Sequence, residues 1–309
     1  MSLVAFLKPK GPTGFGYGST AEQVTEGLSL AGKNILVTGC NSGLGEETLR
    51  VLALRGARVL AAARSREKAR ETIARVASSV STPALPFECE LSEPESVKRC
   101  VQEIQAQGQR LDAIVCNAGI MALPKRELVH GYERQFFTNH MGHFLLVTGL
   151  LEQLSDTGRV VMVSSAAHQM APRGAIAWGQ LKDEGKYSAW GFYGQSKMAN
   201  LLFAKSLARH FEGTSRVAMA IHPGVIQTNL GRHMSSIERG AMSLVNPLFL
   251  KSIPQGGATQ VFGAVHPKAA TFSGEYLADC NRARCRGDAR DPAIADRLWQ
   301  ISEEIAARL

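Results

Sequence analysis

The pattern that most restricts the fold is an alternation of short, unbroken apolar runs with longer stretches of helical period. Asn34–Thr38, Arg58–Ala62, Ala113–Cys116, Arg159–Val163 and Val217–Ile221 are the runs. A strand wetted on one face alternates apolar and polar residues; these do not, so both of their faces are covered. Between them the spacing predicts helices from about Glu46 to Leu54, Glu67 to Ala77, Pro94 to Ala106 and Tyr132 to Leu154, and another that carries Tyr193. Pro94 suits a first helical turn, where its missing N–H costs nothing. A weaker run at Leu85-Pro86-Phe87 reads as an edge strand, since proline cannot donate to a ladder. Strands separated by helices build an α/β, doubly wound domain: a parallel sheet with helices on both faces.

Residues 1–31 lack this regularity and read as an N-terminal arm, with Ser19 or Thr20 capping a short helix and Glu22 or Gln23 closing the capping box. Residues 32–309 read as one domain. Its last stretch, Pro292 to Leu309, is an amphipathic helix with Ile294, Leu298, Ile301 and Ile305 on one face, suited to docking on the domain or on a second subunit.

At 309 residues, with 45% hydrophobic and 20% charged residues, the chain can bury a large core. Its net charge of +8 is spread out. The one concentration, Arg282, Arg284, Arg286 and Arg290, is interrupted by Asp279, Asp288 and Asp291, so no nucleic-acid arm is expected. Six cysteines without paired CxxC spacing read as small buried hydrophobes; Cys280 and Cys285 could close a loop disulfide or remain thiols. Eight histidines show no ligand spacing, so no metal is expected. The apolar start, Leu3 to Leu7, is short for a secretory signal, and no run reaches a membrane span, so the expected location is cytoplasmic.

Chemistry enters at the strand ends. After the first strand comes Thr38-Gly39-Cys40-Asn41-Ser42-Gly43-Leu44-Gly45, leading into the first long helix. Glycines there allow a tight turn, and let backbone N–H groups and the helix N-terminus approach a pyrophosphate. Taken alone, the loop could be a plain turn. A dinucleotide site that selects NAD places an acid near the end of the second strand; here the chain reads Ala62-Ala63-Arg64-Ser65-Arg66. Arg64 can pair with a 2′-phosphate through its planar fork, which favours NADP(H) over NAD(H), unless Arg64 and Arg66 are ordinary surface cations. Asn117-Ala118-Gly119 follows the fourth strand, where small residues would admit an adenosine ribose.

Tyr193 and Lys197 lie four apart, on one face of a helix. A fixed ammonium favours a phenolate and lowers the phenol's pKa, which makes the tyrosine a candidate acid/base. None of the other four tyrosines has a Lys or Arg four residues later. A surface tyrosine with an incidental lysine is the alternative.

Together these motifs resemble the short-chain dehydrogenase/reductase family from about residue 32 to 277: TGxxxGxG at Thr38 to Gly45, NAG at Asn117 to Gly119, Asn139 in a helix, Ser164-Ser165, YxxxK at Tyr193 to Lys197, and His222-Pro223-Gly224. Within it the chain is similar to retinol dehydrogenase-like enzymes and plant chloroplast-envelope dehydrogenases. The resemblance implies a Rossmann fold with seven parallel strands and hydride transfer to or from a nicotinamide. It implies Tyr193 as proton donor or acceptor, Lys197 lowering its pKa and holding the nicotinamide ribose, Ser165 bonding the reacting oxygen, and Asn139 holding a relay water. Pro223, Gly224 and Thr228 would line the nicotinamide. Gly39, Asn41, Ser42, Gly43, Leu44 and Gly45 would form the phosphate cradle. Ser165 is chosen over Ser164 because it stands 28 residues before Tyr193, a gap lengthened by an insertion at about 173–186.

Two positions depart from the family pattern. Cys116 replaces an asparagine, and Glu90, ahead of Leu91, replaces the aspartate expected near the adenine. The resemblance makes about 229–255 a substrate lid. Its Leu, Met and Phe, with Met121 and Trp178 or Trp190, suit a bulky apolar carbonyl or alcohol, or else close the core, or make at most peripheral contact with a membrane. Relatives are commonly dimers or tetramers, which implies a homo-oligomer. The rival function is a dinucleotide-binding redox sensor or scaffold with little turnover.

Overall fold

Residues 8–182, 185–226 and 250–309 are described by the computed structural model. The first half contains α1 (Ala21–Val24), β1 (Asn34–Thr38), α2 (Gly43–Leu54), β2 (Arg58–Ala63), α3 (Arg66–Val76), β3 (Leu85–Glu88), α4 (Pro94–Ala106) and β4 (Leu111–Cys116). A small hairpin, β5 (Leu128–Val129) and β6 (Tyr132–Glu133), precedes a helical rod of α5 (Arg134–Phe136), a π turn (Phe137–Met141) and α6 (Gly142–Gly149). Then come β7 (Leu154–Val163), α7 (Ala189–His210), β8 (Val217–His222), α8 (Ile253–Val265), β9 (Tyr276–Ala278), β10 (Asn281–Arg282) and α9 (Pro292–Ala306).

The sheet order is β10-β9-β8-β7-β4-β1-β2-β3. Seven strands are parallel, as a Rossmann fold requires, and the two-residue β10 pairs antiparallel with β9. The expected seven-stranded sheet therefore gains an eighth, antiparallel edge. It exists because Asp279 and Cys280 both adopt left-handed backbone (φ 53° and 62°) and reverse the chain within two residues. Strand order reverses between β1 and β4, which opens a crevice at their carboxyl ends.

Along each strand, alternate side chains enter two separate cores. Leu36, Leu60, Ile114, Val160 and Ala218 pack on one face with α4, α6 and α7. Ile35, Val37, Val59, Val115, Val161 and Met219 pack on the other with α2 and α8. This two-sided demand is why the runs are apolar throughout. The helix α7 is buried over almost its whole length, from Phe192 to Leu207, because the sheet and α9 cover different sides of it. Among the described residues no helix is long and apolar enough to cross a membrane.

Several boundaries differ from those read in the sequence, most of all those of β7 and the long helix. β7 begins at Leu154 rather than Arg159, because Leu154 pairs with Leu111 before the register shifts, and polar Ser155 and Asp156 conceal the pairing. The long helix runs only from Arg134 to Gly149, starting where the Glu133 side chain accepts from the Phe136 N–H, and contains the π turn. In the arm, Thr20 and Gln23 form the capping box, and Ala21 and Val24 enter the core. Cys280 and Cys285 are free thiols, as are the other four cysteines.

Candidate active site

At the switch point the glycine loop is built by exclusion. Gly39 and Gly43 sit at φ 65° and 57°. A Cβ on Gly45 would lie 2.1 Å from the Gly39 carbonyl oxygen and 2.6 Å from Asn117 Nδ2, so the first turn of α2 can approach the loop only as glycine. Ser42 is the N-cap of α2, yet its side chain caps nothing, which leaves the first N–H groups facing the crevice. Leu44 is buried and Asn41 partly so. Arg75, whose part the sequence did not signal, donates to the Asn41 carbonyl at 3.1 Å and pairs with Glu46 at 2.8 Å, fixing the outer side of the loop.

Thr38 ties this loop to the NAG segment. Its hydroxyl accepts from the Asn117 and Ala118 N–H groups, both at 3.0 Å, while Asn117 Nδ2 donates to the Thr38 carbonyl at 2.9 Å. Asn117 is thus committed to holding the two loops in register, leaving Ala118 and Gly119 as the approachable floor. At the end of β2, Arg64 is exposed and has no ion pair among the described residues, whereas Arg66 is bound to Glu103 at 2.6 Å. Glu90 folds back on its own turn and accepts from the Ser92 N–H and hydroxyl at 3.1 and 2.8 Å. Leu91 is buried, and its carbonyl lies where a Cβ on Gly142 would be 2.3 Å away.

The candidate proton-handling residues converge from β4, the π turn, β7 and α7. Ser164 and Ser165 divide their work: Ser164 Oγ donates to the Lys197 carbonyl at 2.7 Å and is structural, while the Ser165 hydroxyl accepts from the Ala167 N–H at 3.1 Å and lies beside the Tyr193 phenol, whose pKa it lowers. Lys197 Nζ donates to the Val163 carbonyl at 3.1 Å and lies 5.7 Å from the centre of the Tyr193 ring. Asn139 lies in the π turn, where an extra residue per turn swings its side chain to the β4 loop. There Oδ1 accepts from the Ile120 N–H at 2.8 Å, and Nδ2 donates to the Ile120 carbonyl and to Ser196 Oγ, both at 2.9 Å. A Cβ on Gly119 would lie 3.0 Å from Asn139 Oδ1 and 3.4 Å from Lys197 Nζ, so this glycine, the asparagine and the lysine form one constellation.

The electrostatics depart from expectation in one respect. Burial pushes the Tyr193 phenol up to about 12, opposed by the neighbouring Ser165 hydroxyl, and pushes Lys197 down to about 8. The tyrosine is not lowered by the lysine, because removal from water outweighs a cation held 5.7 Å from the ring centre. His143 was not anticipated, although it stands four residues after Asn139 in a helix. Its Nδ1–H donates to the Asn139 carbonyl and its Nε2 accepts from Thr38 Oγ1, both at 2.9 Å, which couples the asparagine to the glycine loop. Burial lowers it to about 4, so it is neutral. His168 donates to the Ser165 carbonyl at 2.7 Å, and His222 Nδ1 accepts from the Ala166 N–H at 3.2 Å.

At the apolar end, Trp190 meets the Tyr193 ring edge-on at 5.9 Å. Trp178 lies elsewhere, against Arg297 in a groove with Leu181 and Ile301. Met170 and Val225 are among the exposed large apolar side chains and follow Ser165 and Gly224 closely in the chain. Pro223 and Gly224 continue from β8, with Gly224 at φ 99°. Thr228 and most of the lid, 227–249, lie outside the described residues.

A dinucleotide crevice with a tyrosine, lysine, serine and asparagine at its mouth defines a class of oxidoreductase. The chain belongs to the short-chain dehydrogenase family, whose model matches residues 33–238. It is 35% identical over 311 residues to short-chain dehydrogenase TIC 32 A, chloroplastic, of Brassica napus, covering 97% of this chain and 96% of that one. It is 36% identical over 284 residues to mouse retinol dehydrogenase 12, covering 91% and 88%. Among solved structures it is similar to an uncharacterised protein of Mycobacterium paratuberculosis, with TM-score 0.74, 30% identity and coverage of 94% and 98%.

Proposed function

We propose that the protein is an NADP(H)-dependent oxidoreductase that interconverts an apolar carbonyl compound and its alcohol, with Tyr193 as general acid and base. The observation that carries this reading is the shared position of Ser165 and Tyr193: two neighbouring hydroxyls, backed by Lys197, with Trp190 edge-on to the Tyr193 ring. A nicotinamide held there would supply or accept the hydride. Gly39, Asn41, Ser42, Gly43 and Gly45 would hold the pyrophosphate, Ala118 and Gly119 the adenosine ribose, Lys197 the nicotinamide ribose, and Arg64 the 2′-phosphate. The cradle fits such a group, since a Cβ at Gly45 would fill it and the N-terminus of α2 lacks a side-chain cap.

In reduction, the Ser165 hydroxyl orients the carbonyl oxygen and Tyr193 delivers its proton there. A phenol raised to about 12 is fully protonated at neutral pH and ready to donate. Lys197, lowered to about 8, remains mostly charged at pH 7 and stabilises the phenolate left behind. Asn139 holds the β4 loop against α7, which fixes the ribose floor beneath both. Tyr193→Phe is expected to lower turnover by about 10²–10⁴-fold with NADPH binding retained, measured by steady-state kinetics on retinal and aromatic ketones and by cofactor titration. Unchanged turnover would sink the assignment of Tyr193; tight NADPH binding without turnover on any carbonyl would favour a redox sensor.

A further inference from the structure

Behind Gly224 stands an ion pair, its lysine buried and its aspartate partly exposed, that the reaction above does not use. Ile226 and Lys251 form a parallel bridge, and the Lys251 N–H donates to the Val225 carbonyl at 3.0 Å. The Lys251 side chain is 1% exposed, and its ammonium ends 2.6 Å from Asp279 Oδ1. Its stem lies against Gly224, where a Cβ would meet Lys251 Cδ at 2.6 Å and Cε at 3.1 Å. The same ammonium sits 4.9 Å from the centre of the Tyr17 ring, in the N-terminal arm.

Each partner is itself anchored. Asp279 occupies the left-handed turn between β9 and β10. The next turn residue but one, Asn281, accepts from the Thr13 N–H at 3.1 Å and donates to the Phe15 carbonyl at 3.0 Å, fastening the arm to the same turn. Lys251 and Asp279 also lie in the field of His222, whose ring accepts from the N–H following Ser165. One side chain therefore joins three stretches remote in sequence at the segment that would face the nicotinamide. An apolar residue of similar volume would pack such a place at no cost in stability, so packing alone does not account for a charge there; fixing the register of several segments does.

We propose that Lys251, paired with Asp279, is a positioning residue that sets Pro223, Gly224 and Val225 for the nicotinamide half of the cofactor. This rests on the dinucleotide-binding reading above. The adenosine half, on the far side of the switch point, is independent of the pair.

The test is equilibrium binding of NADPH and of 2′,5′-ADP, which lacks the nicotinamide half, to the full chain and to Lys251→Ala, Lys251→Met and Asp279→Asn. Each variant should bind NADPH about tenfold more weakly and 2′,5′-ADP as the wild type does. Lys251→Met keeps an unbranched stem against Gly224 and serves if the alanine variant does not fold. Variants that bind both ligands like the wild type, or that lose both in proportion, overturn the positioning role and leave the cofactor reading intact. A wild-type chain that binds neither ligand overturns that reading and the proposal with it.

Discussion

Lys197 meets two opposed demands. The proposed chemistry calls for its charge beside Tyr193, while burial depresses its pKa to about 8. A buried cation with a folded pKa below its unfolded value destabilises the fold at every pH where both states are charged. The cost is full below pH 8 and is relieved as pH rises from about 8 toward 10.5. Lys197→Met should therefore abolish turnover yet unfold at higher denaturant by about 1–3 kcal/mol near pH 7, the gain shrinking toward pH 10. Arg64 makes a separate prediction. Arg64→Ala should lower kcat/KM with NADPH by roughly 10–100-fold, the worth of one charge-assisted contact, and leave activity with NADH unchanged. An equal loss with both cofactors would refute the 2′-phosphate contact.

Among the elements, the N-terminal arm depends most on a single side chain. Asn281→Ala removes its bonds to Thr13 and Phe15 and should cost about 1–3 kcal/mol, read as a lower Tm and as earlier proteolytic cleavage within residues 8–18. The reading frame of β1, β2, α4, β4 and β8 was plain in the sequence, because strands covered on both faces must be apolar at every position. The glycine loop and the Tyr193–Lys197 helix could be found for a similar reason, since their chemistry needs fixed spacings. Three features could not. The π turn leaves no mark on hydropathy, because one extra buried residue in an all-buried helix looks like any other. The β9–β10 turn uses Asp279 and Cys280 where glycine would have announced a reversal. His143 and Lys251 act through contacts with residues far away in sequence, which no local period records. The direction of the Tyr193 shift was also hidden, for it depends on burial rather than on the neighbour four residues on.

Over the whole molecule, five of the six thiols are buried and only Cys285 is partly exposed. A thiol reagent should accordingly modify at most one cysteine in the native protein and all six after denaturation, measured by absorbance or mass. Rapid labelling of more than one would contradict the packing around Cys89, Cys100 and Cys116. The margins of the sheet carry a further consequence. On one side β3 bears Pro86, which cannot donate a ladder bond; on the other, β10 ends after two antiparallel residues. Neither border offers a long row of free N–H and C=O groups to a neighbour. Among the described residues of this sheet, strand-by-strand extension at either border therefore has few ladder bonds to gain.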